Sequence, residues 1–304
     1  MSWDAVLIAG PTASGKSALA LQLAERIGGA VINADSMQVY AELRVLTARP
    51  TREDEARAPH LLYGQVSVRE RYSAGRYQDD AARALEEARA AKRMAIFAGG
   101  TGLYFKVLTE GLSPIPAVPA EIRARAAARL AALGAEKFHA EFALRDPETA
   151  AGLRASDKQR TLRAASVLEA TGRGLKRWQE TQGRPVLKGM RVARFVLAPP
   201  REEIHTRIAA RFARMMEEGA LQEARALMDL DPALPAARAL GVPQLLGHLR
   251  GEMTLEEAVA TAESETRRYA KRQLTWFRRF MSDWKWLESS DLRYNISKLV
   301  GKVA

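Results

Sequence analysis

The sequence predicts an α/β protein, a P-loop-type core on a parallel sheet with a helical insertion domain. Three observations predict it. A short apolar run, Ala5 to Ala9, leads into Gly10-Pro11-Thr12-Ala13-Ser14-Gly15-Lys16-Ser17, and helical spacing follows from Ala18 to Ile27. Strand-like and helical segments alternate up to about residue 112, as parallel strands joined by right-handed crossovers do. Beyond a proline-rich run at 113–119, Arg- and Ala-rich helical patterns fill 120–178 without a strand signal.

The elements follow in order. The loop at 10–17 fits G-x-x-x-x-G-K-[ST] in its strand–loop–helix context. Such a loop turns backbone N–H groups inward at the positive end of a helix, where an oxyanion is stabilised. Lys16 adds a point charge, and Ser17 offers a hydroxyl to Mg²⁺. The chain is therefore expected to bind a phosphorylated ligand. Ala30 to Asn33 is a second strand, Ser73 to Ala91 a helix, and Met94 to Ala98 a third strand that ends at Gly99-Gly100. The proline-rich run marks a boundary. Arg191 to Leu197 reads as a strand returning to the sheet before Pro199-Pro200, and helices dominate from Arg201 to about Trp284. The expected organisation is a first core segment at 1–115, a helical insert at 116–188, and core completion with C-terminal helices at 189–304.

Composition narrows the function classes. The 304 residues are 47% hydrophobic and 27% charged, which suits a globular chain with a full core. With no Cys there are no disulfides and no Cys-ligated zinc. The apolar run near the N-terminus is too short to span a membrane or serve as a signal segment, so a cytoplasmic enzyme without membrane attachment is expected. The net charge of +11 suggests a polyanionic partner.

Ligands of doubly wound sheets bind at the carboxyl ends of the strands. Asp35, just past the second strand, should thus face the same crevice as the phosphate loop. It can act there as a base or as an outer partner of Mg²⁺; the competing role is a turn or cap Asp. A P-loop protein that hydrolyses ATP usually holds Mg²⁺ with an Asp at the end of a later strand. Here that strand runs into Gly99-Gly100-Thr101-Gly102. Thr101 either caps the apolar helix from Leu103 or points its hydroxyl into the crevice. On the helix Glu202 to Met216, Arg207 and Arg211 are four apart and share a face. Such a face clamps diphosphate oxygens or is simply solvated. His60, His139, His205 and His248 show no metal-ligand spacing.

The phosphate loop is followed in order by Asp35-Ser36-Met37-Gln38-Val39-Tyr40, Ala58-Pro59-His60-Leu61, Tyr72-Ser73-Ala74, Gly99-Gly100-Thr101-Gly102-Leu103-Tyr104, Gln159-Arg160-Thr161-Leu162-Arg163 and Lys271-Arg272-Gln273-Leu274-Thr275-Trp276. This set closely resembles the bacterial tRNA dimethylallyltransferases, from about residue 5 to 287. The resemblance implies transfer of a dimethylallyl group from dimethylallyl diphosphate to the exocyclic N6 of the adenosine 3′ to the anticodon, releasing diphosphate. It implies that the loop, Gly10 to Ser17, holds the donor's diphosphate with Mg²⁺. It also implies that Asp35 is the base, that Thr101 holds the adenine amine, and that Arg211 lies near the diphosphate. The implied tRNA contacts are Asp35, Ser36, Met37, Gln38 and Thr101 around the target base, with Arg123, Gln159, Arg160, Thr161, Leu162, Arg163, Arg238 and Gly241 elsewhere on the tRNA. A monomer is expected.

Val242-Pro243 departs from the family, where Tyr followed by Arg or Lys is common, and so puts one RNA contact of that loop in question. The stretch 267–280 interleaves cations with aromatics, which are more often core anchors than stacking platforms at helical spacing. The competing readings are a small-molecule kinase, an adenylate isopentenyltransferase using free nucleotide, and a non-catalytic RNA-binding nucleotide switch. The two enzymatic ones leave the basic insert without a role.

Overall fold

The computed structural model describes residues 3–289 and 291–303. The chain forms two compact units. One comprises the residues up to Thr109 together with those from Val186 onward; the other is Glu110–Pro185.

In the first unit the opening elements are β1 (Ala5–Ala9), α1 (Lys16–Ile27), β2 (Ala30–Asn33), α2 (Arg52–Arg57), β3 (His60–Leu61), α3 (Ala74–Ala90), β4 (Ala95–Gly99) and α4 (Gly102–Thr109). The helical unit contributes α5 (Ala120–Arg145), α6 (Pro147–Ala150), α7 (Lys158–Thr171) and α8 (Leu175–Gln179). The first unit resumes with β5 (Val192–Leu197), α9 (Arg201–Glu217), α10 (Ala220–Arg225), α11 (Val242–Leu249), α12 (Leu255–Phe280), β6 (Lys285–Leu287) and α13 (Leu292–Val303).

The sheet order is β3-β2-β4-β1-β5-β6, and every pairing is parallel. β1 is central and wholly buried, which is why it reads as an unbroken apolar run. In register, Ala9 of β1 pairs with Gly99 of β4, and Asn33 of β2 with Ala98. The loops after β1, β4 and β2 therefore leave the sheet side by side. With about 4.8 Å between neighbouring strands, the β1 and β2 loops stand roughly 10 Å apart with the β4 turn between them.

Two edge strands escape the sequence reading. β3 has two residues and β6 has three. Runs this short carry no periodicity, and they exist because β2 and β5 offer open edges.

The helical unit has its own core, in which Phe138, Phe142, Ala150, Ala164 and Ala165 pack together. Its long helix α5 is interrupted at Gly134, where φ is 75°. The unit begins before the boundary expected at 116. The backbone around Gly111–Leu112 lies against Gly183–Arg184 so closely that neither glycine has room for a Cβ. The two connecting segments thus run together, and the proline-rich stretch lies inside the unit.

Candidate active site

The phosphate loop is built by its backbone. Ala13 and Gly15 have φ of 63° and 92°, with Ser14 between them outside the positive-φ set. This alternation turns successive N–H groups to one side and forms an anion-binding concavity. No acidic residue occupies the first turn of α1 and no side chain caps it, which leaves the positive end of the helix to a ligand. Gly10 closes the loop against the sheet by donating its N–H to Gly99 at 3.2 Å. A Cβ on Gly10 would lie 2.7 Å from Ser14 Oγ and 2.9 Å from the Leu197 carbonyl. Ser14 is 1% exposed, and its Oγ has no hydrogen-bond partner among the described residues. A buried hydroxyl left open in this way fits a cradle whose oxyanion arrives from outside.

Lys16 donates from Nζ to the Pro11 carbonyl at 3.3 Å. Part of it stays open to the cleft, yet desolvation brings its pKa down to about 8. Asp35 opposes that shift and Arg211 adds to it. Arg211 reaches over from α9 and donates Nη2 to Thr12 Oγ1 at 2.6 Å. Burial lowers its pKa to about 10 against the field of Asp35, so it remains a cation at neutral pH. Arg207, one turn earlier, donates to the Ser14 carbonyl at 3.2 Å. The opposite stripe of α9, Ile204, Ile208, Phe212 and Met215, is buried. That amphipathic split aims both guanidinium groups at the loop.

Asp35 takes the turn role with one of its two oxygens. Its Oδ1 accepts from the Met37 N–H at 3.0 Å, an Asx turn. Its Oδ2 lies 3.2 Å from where a Cβ on Gly100 would sit. One oxygen holds the turn, and the other faces the β4 loop. Asn33 fixes this turn as well: its Oδ1 accepts from the Asp35 N–H at 2.8 Å and its Nδ2 donates to the Asp35 carbonyl at 2.9 Å. Thr101 is not a side-chain cap. Its Oγ1 accepts from the Ser36 N–H at 2.9 Å and donates to Ser36 Oγ at 3.3 Å. The hydroxyl thereby joins the β4 turn to the loop of Asp35. Gln38 is buried and donates to the Thr47 and Ala48 carbonyls, so its amide holds the neighbouring loop.

Three tyrosines that sequence reasoning passed over cluster electrostatically with Asp35. Tyr63, Tyr104 and Tyr269 all have their pKa raised, by burial first and by Asp35 second. They stay neutral hydroxyls. Ser17 is exposed and lines a cavity of about 560 Å³ with Arg44, Arg49, Arg211 and Arg214.

Among the described residues no three His, Asp or Glu gather to hold a metal. Mg²⁺ ordinarily takes few protein ligands and keeps water and phosphate oxygens. The Ser17 hydroxyl beside the cradle fits that use.

Elsewhere the expected residues fall in different settings. In the helical unit, Gln159, Arg160 and Arg163 are exposed on α7 and line an open groove of about 930 Å³ with Lys176. Burial and the neighbouring Arg123 lower the pKa of Arg163. Leu162 is half-buried, and Thr161 is 1% exposed and faces the helical core. One helical step from Arg160 points inward, which is why the five-residue motif does not lie on a single surface. In the first unit Arg238 is exposed, whereas Gly241 is buried with φ 91° against Leu46 and Phe212. Of the aromatics on α12, Phe277 is core and Phe280 is exposed.

The model of the family described as IPP transferase matches residues 38–280. A tRNA dimethylallyltransferase of Nitrobacter hamburgensis is 54% identical over 98% of this chain and 94% of its own length. The chain belongs to the IPP transferase family. Within that family, a full-length tRNA isopentenylpyrophosphate transferase from Bacillus halodurans has been solved. It is 30% identical with a TM-score of 0.69, over 99% of this chain and 97% of that one. A eukaryotic dimethylallyltransferase acting on tRNA shares the fold at a TM-score of 0.82 and 24% identity, over 98% of this chain and 78% of that one. The IPP transferase fold here is thus the expected parallel α/β core.

Proposed function

We propose that this chain is a tRNA dimethylallyltransferase. It moves the dimethylallyl group of dimethylallyl diphosphate onto N6 of the adenosine 3′ to the anticodon and releases diphosphate. The observation that carries the reading is one carboxylate, Asp35, held across β4 from a cationic phosphate cradle and joined to it through the Thr101 turn.

The chemistry follows from the arrangement. The bond between the allylic carbon and the diphosphate oxygen breaks as the bond from that carbon to N6 forms. Negative charge grows on the departing oxygen, where the loop N–H groups, Lys16 and Arg211 are already aimed. When bound, Mg²⁺ supplies further charge neutralisation to the diphosphate, with the Ser17 hydroxyl as its protein ligand. The N6 amine is a weak nucleophile because its lone pair is delocalised into the purine. Asp35 Oδ2 takes its proton as the new bond forms, and a positioned base of this kind is worth roughly 10²–10⁴-fold. In this reading the Thr101 hydroxyl, which bonds Ser36, holds the amine. Lys16, partly neutral when the cradle is empty, becomes fully charged against diphosphate.

The helical unit is the tRNA-holding part of this reading. Its exposed Arg123, Gln159, Arg160 and Arg163 suit backbone contacts on an unstacked anticodon loop. An enzyme that modifies a base in such a loop must first extract it. Among the described residues no helix is long and apolar enough to cross a membrane, and a tRNA substrate places the work in the cytoplasm. One chain carries the whole constellation, so a monomer suffices.

The test is direct. The protein is incubated with dimethylallyl diphosphate, Mg²⁺ and unmodified tRNA, and the digested nucleosides are weighed by mass spectrometry. N6-dimethylallyladenosine is expected. ATP turnover without prenylated adenosine would favour the kinase or switch reading instead.

A further inference from the structure

The long helix α12 buries a stripe of Ala258, Ala262, Thr266, Ala270, Gln273 and Phe277. The small residues let the helix approach its neighbours closely. Thr266 satisfies its hydroxyl inside the helix by donating to the Ala262 carbonyl at 2.7 Å. Gln273 does not. It is 5% exposed, and its carboxamide reaches out of the helix in both directions. Its Oε1 accepts from the Thr12 N–H of the phosphate loop at 2.9 Å, and its Nε2 donates to the Gly100 carbonyl of the β4 turn at 2.8 Å. The partners leave no choice of orientation, since one is only a donor and the other only an acceptor.

These two loops carry the two halves of the proposed reaction. They touch directly at their roots through Gly10 and Gly99 and then separate. Gln273 is a further tie between them, made from a helix that belongs to neither. Gly100 has no room for a Cβ because the carboxamide fills that space, and the same spot is 3.2 Å from Asp35 Oδ2. Cradle and β4 turn therefore meet on one side chain, at the point of the turn that Asp35 Oδ2 faces.

We propose that Gln273 is a positioning residue that sets the separation between the diphosphate cradle and the turn bearing Thr101. The inference rests on the prenyl-transfer reading above. An allylic displacement needs leaving oxygen, carbon and N6 in line, and a misplacement of about 1 Å can cost roughly 10²-fold. Loss of Gln273 should then lower kcat while each substrate still binds its own half-site.

The test uses the full chain. Gln273→Met fills the same volume without either hydrogen bond, and Gln273→Glu keeps the acceptor toward Thr12 but donates to Gly100 only when protonated. For Gln273→Met, kcat should fall about 10–100-fold. The dissociation constants for Mg²⁺-diphosphate and for tRNA should each change less than about threefold, with the folded fraction normalised by circular dichroism. For Gln273→Glu, kcat relative to wild type should rise as pH falls, a profile that a purely structural role does not produce. The inference is overturned if Gln273→Met keeps kcat within about threefold of wild type. It is also overturned if its loss is matched by an equal loss of diphosphate binding, or if the Gln273→Glu ratio is flat with pH. An inactive wild type would instead strike the prenyl-transfer reading itself.

Discussion

Replacing Asp35 by Asn separates the base from the turn it holds. The Asn side chain keeps an Oδ1 to accept from the Met37 N–H, now 3.0 Å away, and the backbone bonds to Asn33 are unaffected. The loop should therefore keep its course. What is lost is proton acceptance at Oδ2, worth roughly 10²–10⁴-fold, or about 2.7–5.4 kcal/mol at about 1.36 kcal/mol per decade. The charge also disappears from the cleft. Asp35 is the influence that raises the pKa of Lys16 and Arg211 against desolvation. Without it Lys16 should titrate below about 8, and donor affinity at pH 8 should weaken while that at pH 6.5 changes little. The assay is single-turnover prenyl transfer at saturating tRNA, paired with donor titration at both pH values. A single-turnover rate within about fivefold of wild type would remove Asp35 from proton transfer.

Donor binding itself should report Lys16. Its pKa is depressed to about 8 in the empty cradle and rises when diphosphate arrives, so binding takes up a proton above that pH. Affinity should be flat below pH 8 and fall by up to about tenfold per unit above it; calorimetry in buffers of different ionisation enthalpy checks the uptake, and an affinity independent of pH to 9.5 would contradict it. Arg160, exposed and paired only loosely with Asp157 at 3.4 Å, is expected to meet a phosphate. Arg160→Ala should reduce the slope of log affinity for tRNA against log salt by about 0.7–0.9, and an unchanged slope would exclude that contact. Gly99→Ala drives a Cβ into the backbone of Ala34, just before Asp35. It should cost about 1–3 kcal/mol and lower both the melting temperature and kcat; a variant with wild-type melting and turnover would show that the two loops are not closely coupled.

The parts of this molecule that were readable in the sequence are those written in local pattern. β1 and its loop are announced by an apolar run and eight loop residues, and Arg207 and Arg211 by their four-residue spacing on α9. The place of Asp35 follows from its position just past the second strand, since ligands gather where parallel strands end. The rest depends on contacts between distant positions. β3 and β6 have no pattern of their own and form by pairing at open edges. Gln273 is separated by 261 residues from its partner Thr12, and only its place as a long polar residue in the inward stripe hints at a duty. For Thr101 the cap stands as one of two readings because caps are local; its actual partner, Ser36, lies 65 residues away. Thr161 shows the reverse problem, a residue inside a continuous motif that the helical turn sends into the core.

The central claim is spatial, so the most direct measurement is a crystal structure with an unreactive thio-analogue of dimethylallyl diphosphate and an unmodified anticodon stem-loop. The account predicts the diphosphate against the N–H groups of Ser14 to Ser17 with Lys16 and Arg211 on its oxygens, and the flipped adenine N6 within hydrogen-bonding distance of Asp35. A diphosphate bound away from the loop, or an adenine amine that meets neither Asp35 nor Thr101, would contradict it.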